Sequence, residues 1–453
     1  MTLARSSKKW RYVLHVEYEL REVVPACGRW YDVPMPFQFI HAADIHLDSA
    51  LRGLARYEGA PAEAIRGATR RALENLVALA IDEAVDFVLI AGDLYDGDWR
   101  DHSTGLFFVR QMARLREAGI SVALIRGNHD AESSLTKNLR MPDNVHILPA
   151  DAPGTVRFED VNVAAHGQSF ATPAVTEDLS RNYPPPVAGA FNIGLLHTAV
   201  DGREGHDPYA PCSLGALRAF GYDYWALGHI HQREALSADP PIHFSGNLQG
   251  RHARETGEKG ALLVRVEDNG AVDVAFRCLD VVRWANCCVD LSETEGWSGA
   301  LERVEEALEH LREEAGDRIL AARVTVSGRT ALNDALLARH EEWTNDVRAL
   351  ANDIGRDQIW IEKTPIETAP LPEAREPVVE GPLAALDQVL REVAVDPGAL
   401  PELAQLYDEL RNALPSGIRR TPEFEALSEA AQGEALAEQA RAILHDRLRR
   451  EAQ

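Results

Sequence analysis

A chain of 453 residues, 45% hydrophobic and 26% charged, has an ordinary globular composition and is too long for one core, so two or three domains are expected. No run approaches the ~20 apolar residues of a membrane span, and the opening residues lack the apolar core of a signal peptide. A formal net charge of −24 counts against an overall surface built to hold nucleic-acid phosphates, although bound cations and a local basic rim can reverse the sign at one site.

Residues 1–34 carry basic side chains but no clear period. They read as an N-terminal extension: either a disordered segment, or an artefact of start-site choice with Met35 as the natural start. From Met35 to residue 280, short apolar runs alternate with amphipathic stretches. Strands are expected at 37–43, 87–92, 122–127, 161–167, 192–197, 224–229, 242–246 and 261–266. Between the first two, Leu73, Leu76, Val77, Ala80, Ile81 and Ala84 share one face of a helix. The alternation predicts an α/β domain over 35–280 whose interior strands are covered on both sides.

Residues 281–363 read as a second, smaller β-α-β-α-β unit, in which Leu301, Val304, Leu308 and Leu311 recur at helical spacing. Five prolines mark 364–382 as an extended linker. Beyond it, Leu383, Leu386, Val389, Leu390 and Val393 open a helical C-terminal region over 383–453. The five cysteines form no Cys-x-x-Cys pair and fit a reducing cytoplasm, without a disulfide framework or a zinc knuckle.

Five apolar runs of the first domain stop at ligand-type side chains. They end in "HAADIHLD" (Asp44, His46), "LIAGDLYD" (Asp93), "LIRGNHD" (Asn128, His129), "GLLHT" (His197) and "ALGHIHQ" (His229, His231). The carboxyl ends of strands are where sites gather in α/β sheets. In Asp-x-His and His-x-His, both side chains point one way while the chain stays extended. Taken singly, Gly-Asp is a turn, Gly-Asn-His-Asp is a turn with a helix cap, and a lone histidine is a satisfied core group. The ordered set is a different matter. Its mixture of carboxylate, amide oxygen and imidazole, without thiolate, suits manganese, iron or zinc. Seven ligands exceed one four-coordinate zinc but suit two ions sharing a carboxylate, an arrangement that serves phosphoryl chemistry.

This ordered set resembles the calcineurin-like metallophosphoesterases. With "FIHAADIHLDS", "ALGHIHQRE" and "SGNLQGRHARETGEKGALLV", the stretch 36–270 is most similar to their DNA-repair exonuclease branch, the SbcD nuclease family and its YhaO-like members. The resemblance implies a four-layer α-β-β-α sandwich with a smaller α+β cap domain. It implies that Asp44, His46 and His231 hold one divalent ion and Asn128, His197 and His229 the other, with Asp93 bridging. Manganese is the expected metal, with iron(II), zinc or magnesium as alternatives. His129 would act on the phosphate as the catalytic group rather than as a ligand. Asp130 would either orient His129 or cap the following helix, and Asp96 would either bond near the site or serve a turn. Gly127 would permit the tight turn between strand and site. Arg251, beside His252 and Arg254, would touch DNA phosphates or belong to a solvated charge run. His41 and His243 fall out of register and read as structural.

The implied activity is metal-dependent hydrolysis of DNA phosphodiesters, as an exonuclease. Two rivals stand beside it: a phosphatase or nucleotide phosphodiesterase, which the charge favours, and an inactive scaffold, which the complete ligand set opposes. Expected partners are DNA, an SbcC-like ATPase docked through the C-terminal helices, and by analogy a second copy of the chain. A cytoplasmic location and no membrane are expected.

Overall fold

The computed structural model describes residues 36–49, 67–96, 102–132, 140–202, 209–371 and 443–444. The expectations for residues 1–34 and for nearly all of 383–453 therefore lie outside the described residues. Among the described residues, no helix is long and apolar enough to cross a membrane.

Four parallel strands open the chain: β1 (Phe37–Ala42), β2 (Phe87–Ala91), β3 (Ser121–Ile125) and β4 (Val145–Ile147). Helices α1 (Ala68–Asp82) and α2 (His102–Glu117) connect β1 to β2 and β2 to β3. The chain then builds a second sheet from β5 (Gly154–Phe158), β6 (Val163–Gly167), β7 (Phe191–His197), β8 (Tyr224–Gly228), β9 (Glu234–Ala238) and β10 (Pro241–Phe244). It returns through β11 (Gly260–Val266) and β12 (Val272–Cys278) to complete the first sheet, in the order β12-β11-β1-β2-β3-β4. The second sheet runs β5-β6-β7-β8-β10-β9.

Period-2 alternation explains why these strands read as unbroken apolar runs. Phe37 and Phe39 of β1, Phe87 and Leu89 of β2, and Phe191, Ile193 and Leu195 of β7 all enter one core between the two sheets. The intervening residues face outward: Ile40, Val88 and Ile90 meet Leu73, Leu76 and Phe108 of α1 and α2. Across the molecule, Leu196, Trp225 and Leu227 are covered by Leu217, Tyr183 and Phe170. The result is the expected α-β-β-α sandwich. Four strands lie outside the expected set, β4, β5, β9 and β12; β4 is only three residues long and none is buried throughout.

A third sheet follows, from β13 (Val282–Asp290), β14 (Ile319–Arg329), β15 (Ile359–Lys363) and β16 (Ile366–Ala369), with every pair parallel. The short helices α3 (Asn128–Glu132) and α4 (Leu214–Ala219) belong to the first two sheets; the third carries the long helices α5 (Gly296–Ala315) and α7 (His340–Gly355), with the short α6 (Asn333–Ala338) before α7. Val304, Leu308, Trp343 and Val347 of these helices pack on Leu320, Ala322, Val324 and Val326 of β14. The opposite face places Val282, Trp284, Ala321 and Trp360 against Ala68 and Ala253 of the first unit. Residues 366–369, expected within the linker, instead add a strand to β14, and residues 372–442 lie outside the described set.

Candidate metal centre

The carboxyl ends of β1, β2, β3, β7 and β8 meet at one place. Asp44, His46, Asp93 and His197 are fully or almost fully buried there. The Nε2 atoms of His46 and His231 are 3.1 Å apart, and Asp93 Oδ2 lies 3.8 Å from His46 Nε2 and 3.4 Å from His197 Nε2. His197 Nε2 is also 3.0 Å from Asn128 Oδ1. His231 Nε2 is 4.0 Å from Asp44 Oδ1, and the His229 ring lies edge-on to His197 at 5.2 Å. Ligand atoms of Asp44, His46 and His231 lie within one 4.8 Å group, as do those of Asp44, Asp93 and His197. All seven expected ligands thus come to one region, with Asp93 reaching both halves.

The backbone is bent hard to achieve this. Asp44, His46, Asp93 and His229 all take positive φ, at 50°, 44°, 51° and 96°. Non-glycine residues rarely hold such conformations, which cost about 1–3 kcal/mol each unless the surroundings enforce them. Both oxygens of Asp44 accept the His229 N–H, at 3.1 and 3.0 Å, and Asp93 Oδ1 accepts the His129 N–H at 3.0 Å. Gly127 has a different reason from the expected one. It does not take positive φ. A Cβ there would collide with the Asp93 carboxylate and the His197 ring, so the requirement is close approach rather than a left-handed turn.

Hydrogen-bond chemistry tests whether these residues fit cations. His197 Nδ1 donates to the Ala91 carbonyl at 2.9 Å, and His231 Nδ1 donates to Glu255 Oε1 at 2.6 Å. In the neutral form of each ring, Nε2 then carries the lone pair. His46 Nδ1 is buried without a hydrogen-bond partner, and Asp96 Oδ1 lies 3.6 Å from it. A proton on that Nδ1 faces the carboxylate, so the third Nε2 also carries a lone pair. Three imidazole lone pairs, an amide oxygen and two buried carboxylates then face one another. Such a set repels itself in a dry site unless cations lie among it. The donors fit divalent metal, each oriented by an outer hydrogen bond.

In the metal-free site a proton on His197 supplies part of that compensation. Burial above all, with help from Asp93, pushes Asp44 up to about 6, against His231 and His197. Burial also acts to raise Asp93, but His197, His46 and His129 outweigh it and hold that carboxyl well below its usual range. Burial lowers His197, yet the Asp93 carboxylate overrides it and lifts the imidazole to about 9. Burial and then the Arg251 charge drive His46 down to about 3.

His129, the expected non-ligand, has 39% of its side chain exposed and groups with His46 and Asp96 within 4.8 Å. Its Nδ1 lies 3.2 Å from Asp96 Oδ1, and its ring meets His46 edge-on at 4.9 Å. Asp96 also accepts Ser49 Oγ at 2.6 Å. Burial favours a neutral Asp96, but the nearby His129 and His46 rings and the Ser49 hydroxyl prevail and keep it ionised. His129 is shifted upward: burial opposes this, and the Asp96 bond with the Asp93 and Asp96 charges overcomes it. The carboxylate beside His129 is therefore Asp96, not Asp130. Asp130 is buried and accepts three backbone N–H groups, from Gly127 (3.1 Å), Leu94 (3.0 Å) and Tyr95 (2.8 Å). It closes the first turn of α3 (Asn128–Glu132) and ties that turn to the loop after β2.

Arg251 is not part of a solvated charge run. Its side chain is 15% exposed and lies 3.3 Å from Glu255 and 3.8 Å from Asp96. His252 is largely exposed, with Nε2 3.6 Å from Glu255. His41 bonds Tyr224 Oη and the Leu227 carbonyl, and His243 stacks on Tyr224, both away from the cluster. Three further residues touch the site without a signature at a strand end. Glu255 holds His231 Nδ1, Lys259 Nζ donates to the His231 carbonyl at 2.9 Å, and Tyr209 packs against the His229 ring.

Comparison with known proteins accords with this geometry. The calcineurin-like phosphoesterase family model matches residues 37–233, and a model of the middle domain of metallophosphoesterase YhaO matches 284–369. Over 278 residues the chain is 39% identical to the uncharacterized metallophosphoesterase YhaO of Bacillus subtilis (strain 168), covering 60% of this chain and 68% of that protein. It is 27% identical over 267 residues to the DNA double-strand break repair protein Mre11 of Methanopyrus kandleri, covering 52% of this chain and about half (55%) of that protein. On likeness of this extent, and with candidate metal-ligand residues gathered at the strand ends, the chain belongs to the calcineurin-like metallophosphoesterases.

Proposed function

We propose that this hydrolase is a manganese-dependent DNA phosphodiesterase acting from ends, as in the SbcD-like exonuclease branch. The observation that carries the reading is the largely buried cluster of carboxylates and histidines, with His129 beside Asp96 at its edge. Similarity to an Mre11 protein supports DNA as the substrate. In this reading Asp44, His46 and His231 hold one ion, Asn128, His197 and His229 the other, and Asp93 bridges them. Such a pair, when bound, supplies an activated water and neutralises charge on the phosphoryl oxygens.

The chain's own residues do the rest. Ala91 and Glu255 fix the tautomers of His197 and His231. Asp96 orients His129 and favours its protonated form, so its exposed edge stabilises negative charge on the phosphate or gives a proton to the departing oxygen. Arg251, held between Asp96 and Glu255, sets positive charge at the rim. Docking of an SbcC-like ATPase on the C-terminal region, a homodimer and a cytoplasmic location belong to the same proposal. The net charge of −24 favours a second reading, a phosphodiesterase of small substrates.

The test is hydrolysis with Mn2+ of end-labelled linear duplex and single-stranded DNA, closed circular DNA, and a chromogenic phosphodiester, with His129→Ala as the control. The proposal expects the linear DNA to be degraded and the circle to be spared. Hydrolysis of the chromogenic compound with intact linear DNA would establish the second reading instead.

A further inference from the structure

The segment between β10 and β11 forms a bracket behind the metal centre that strand-end logic leaves unexplained. Glu255, 7% exposed, is its focus. Oε1 takes the His231 Nδ1 proton at 2.6 Å. Oε2 accepts the Arg251 N–H at 2.7 Å and Asn247 Nδ2 at 3.0 Å. Arg251 Nη2 also lies 3.3 Å from His231 Nδ1. The shorter contact to a carboxylate decides that this nitrogen is a donor and not an acceptor. Glu255 therefore fixes the proton on Nδ1 and leaves Nε2 to face the cluster.

The bracket is itself held from the other unit. The Trp284 indole N–H of β13 donates to the Gly250 carbonyl at 2.9 Å, and the Trp284 carbonyl accepts the Gly257 N–H at 3.1 Å. Gln249 is bonded through its side chain to the backbone of Val281 and Val282. A Cβ on Gly250 would press into both the Glu255 carbonyl and the Trp284 ring, so the packing leaves no slack. The third sheet and His231 are thus joined by a short chain of buried contacts.

We propose that Glu255 is a positioning residue for His231, and that the third sheet braces it through Trp284. The inference rests on the metal reading above. It gives the second unit a role in the metal site itself.

The experiment measures Mn2+ bound per full-length chain by equilibrium dialysis against a range of free Mn2+, with the unfolding midpoint of each metal-free protein recorded alongside. Wild type binds two ions. Glu255→Ala weakens one of them by about 10- to 100-fold, the range typical of lost partners behind a metal ligand, and leaves the other unchanged. Glu255→Gln, which keeps an acceptor for Nδ1, weakens it less. Trp284→Phe, which removes the indole donor and part of the ring's bulk, weakens the same ion and adds nothing in the Glu255→Ala background, because coupled residues are not additive. Wild-type affinity for both ions in Glu255→Ala overturns the proposal. So does an equal loss from Trp284→Phe with and without Glu255. If Glu255→Ala does not fold, wild-type affinity in Glu255→Gln together with Trp284→Phe overturns it. Failure of the wild type to bind two ions is distinct, and defeats the metal reading first.

Discussion

In the first two sheets, β1, β2, β7 and β8 end in Asp44, Asp93, His197 and His229, turned inward and buried or packed against one another. In the third sheet, β13, β14 and β15 end in Asp290, Arg329 and Lys363, and all three are exposed. Both units contain parallel strands covered by helices, with comparable apolar cores, although the first unit's sheets also hold antiparallel pairs. All three groups of candidate metal ligands found among the described residues lie in the first unit. Buried acids and histidines destabilise a fold unless something compensates them. The first unit carries that cost where the site needs it, and the third sheet carries packing and a brace. Fold alone does not separate the two regions; the chemistry at the strand ends does.

The comparison breaks most completely at Asp93, the carboxylate that reaches both halves of the cluster. Asp93→Ala should bind fewer than two ions and show no hydrolysis above background, as read by metal analysis and by any phosphodiester assay. Retention of two ions with normal turnover would remove the bridging role. Next comes His129→Ala, which should keep both ions and lose about 10²- to 10⁴-fold in rate, the usual contribution of a proton-transfer group. Asp96→Asn should follow it in kind but lose about 10- to 100-fold, as for a partner that orients a reacting group at one remove. An Asp96→Asn enzyme as fast as wild type would show that the 3.2 Å contact with His129 does not matter to turnover.

A buried truncation in the third sheet should give the opposite profile. Leu308 of α5 is fully buried against β14. Leu308→Ala should cost about 2–5 kcal/mol in unfolding free energy, from lost burial and a residual cavity. The protein that remains folded should hydrolyse substrate at the wild-type rate, because Leu308 faces its own core and not the bracket around Glu255. A large rate loss in fully folded Leu308→Ala, seen beside its denaturation curve, would blur the distinction between the two units.

The degree to which the sequence was legible follows the same division. Strands buried on both faces leave apolar runs, so the central strands and the ligand-type side chains gathered at their ends are legible directly. The strands that escaped notice lack such runs: β9 is "EALSA" and mostly half-exposed, and β4 spans only Val145–Ile147. Glu255 could not be found because its contact with His231 spans 24 residues and arises from a loop whose course is set by packing on Trp284. Gly127 was recognisable as a requirement, but its reason, room for Asp93 and His197, exists only in three dimensions.

The choice between Asp96 and Asp130 had the same limit, and it supplies the mildest test. Both carboxylates lie within a few residues of a ligand, and either could have met His129. The fold sends Asp130 inward, where it takes the N–H groups of Gly127, Leu94 and Tyr95. Burial first, then the Asp93 charge, raise its carboxyl to about 6, while those three donors pull the other way. Asp130→Asn keeps the shape but places an amide NH2 where an oxygen accepted. One or two of the donors lose their acceptor in a buried site, at about 1–3 kcal/mol. The expected result is a lower unfolding midpoint with at most a small change in rate, which is the reverse of Asp96→Asn. If Asp130→Asn instead slows turnover as much as Asp96→Asn without lowering the midpoint, then Asp130 acts on the reaction, and its clip between the loops after β2 and β3 is not its main work.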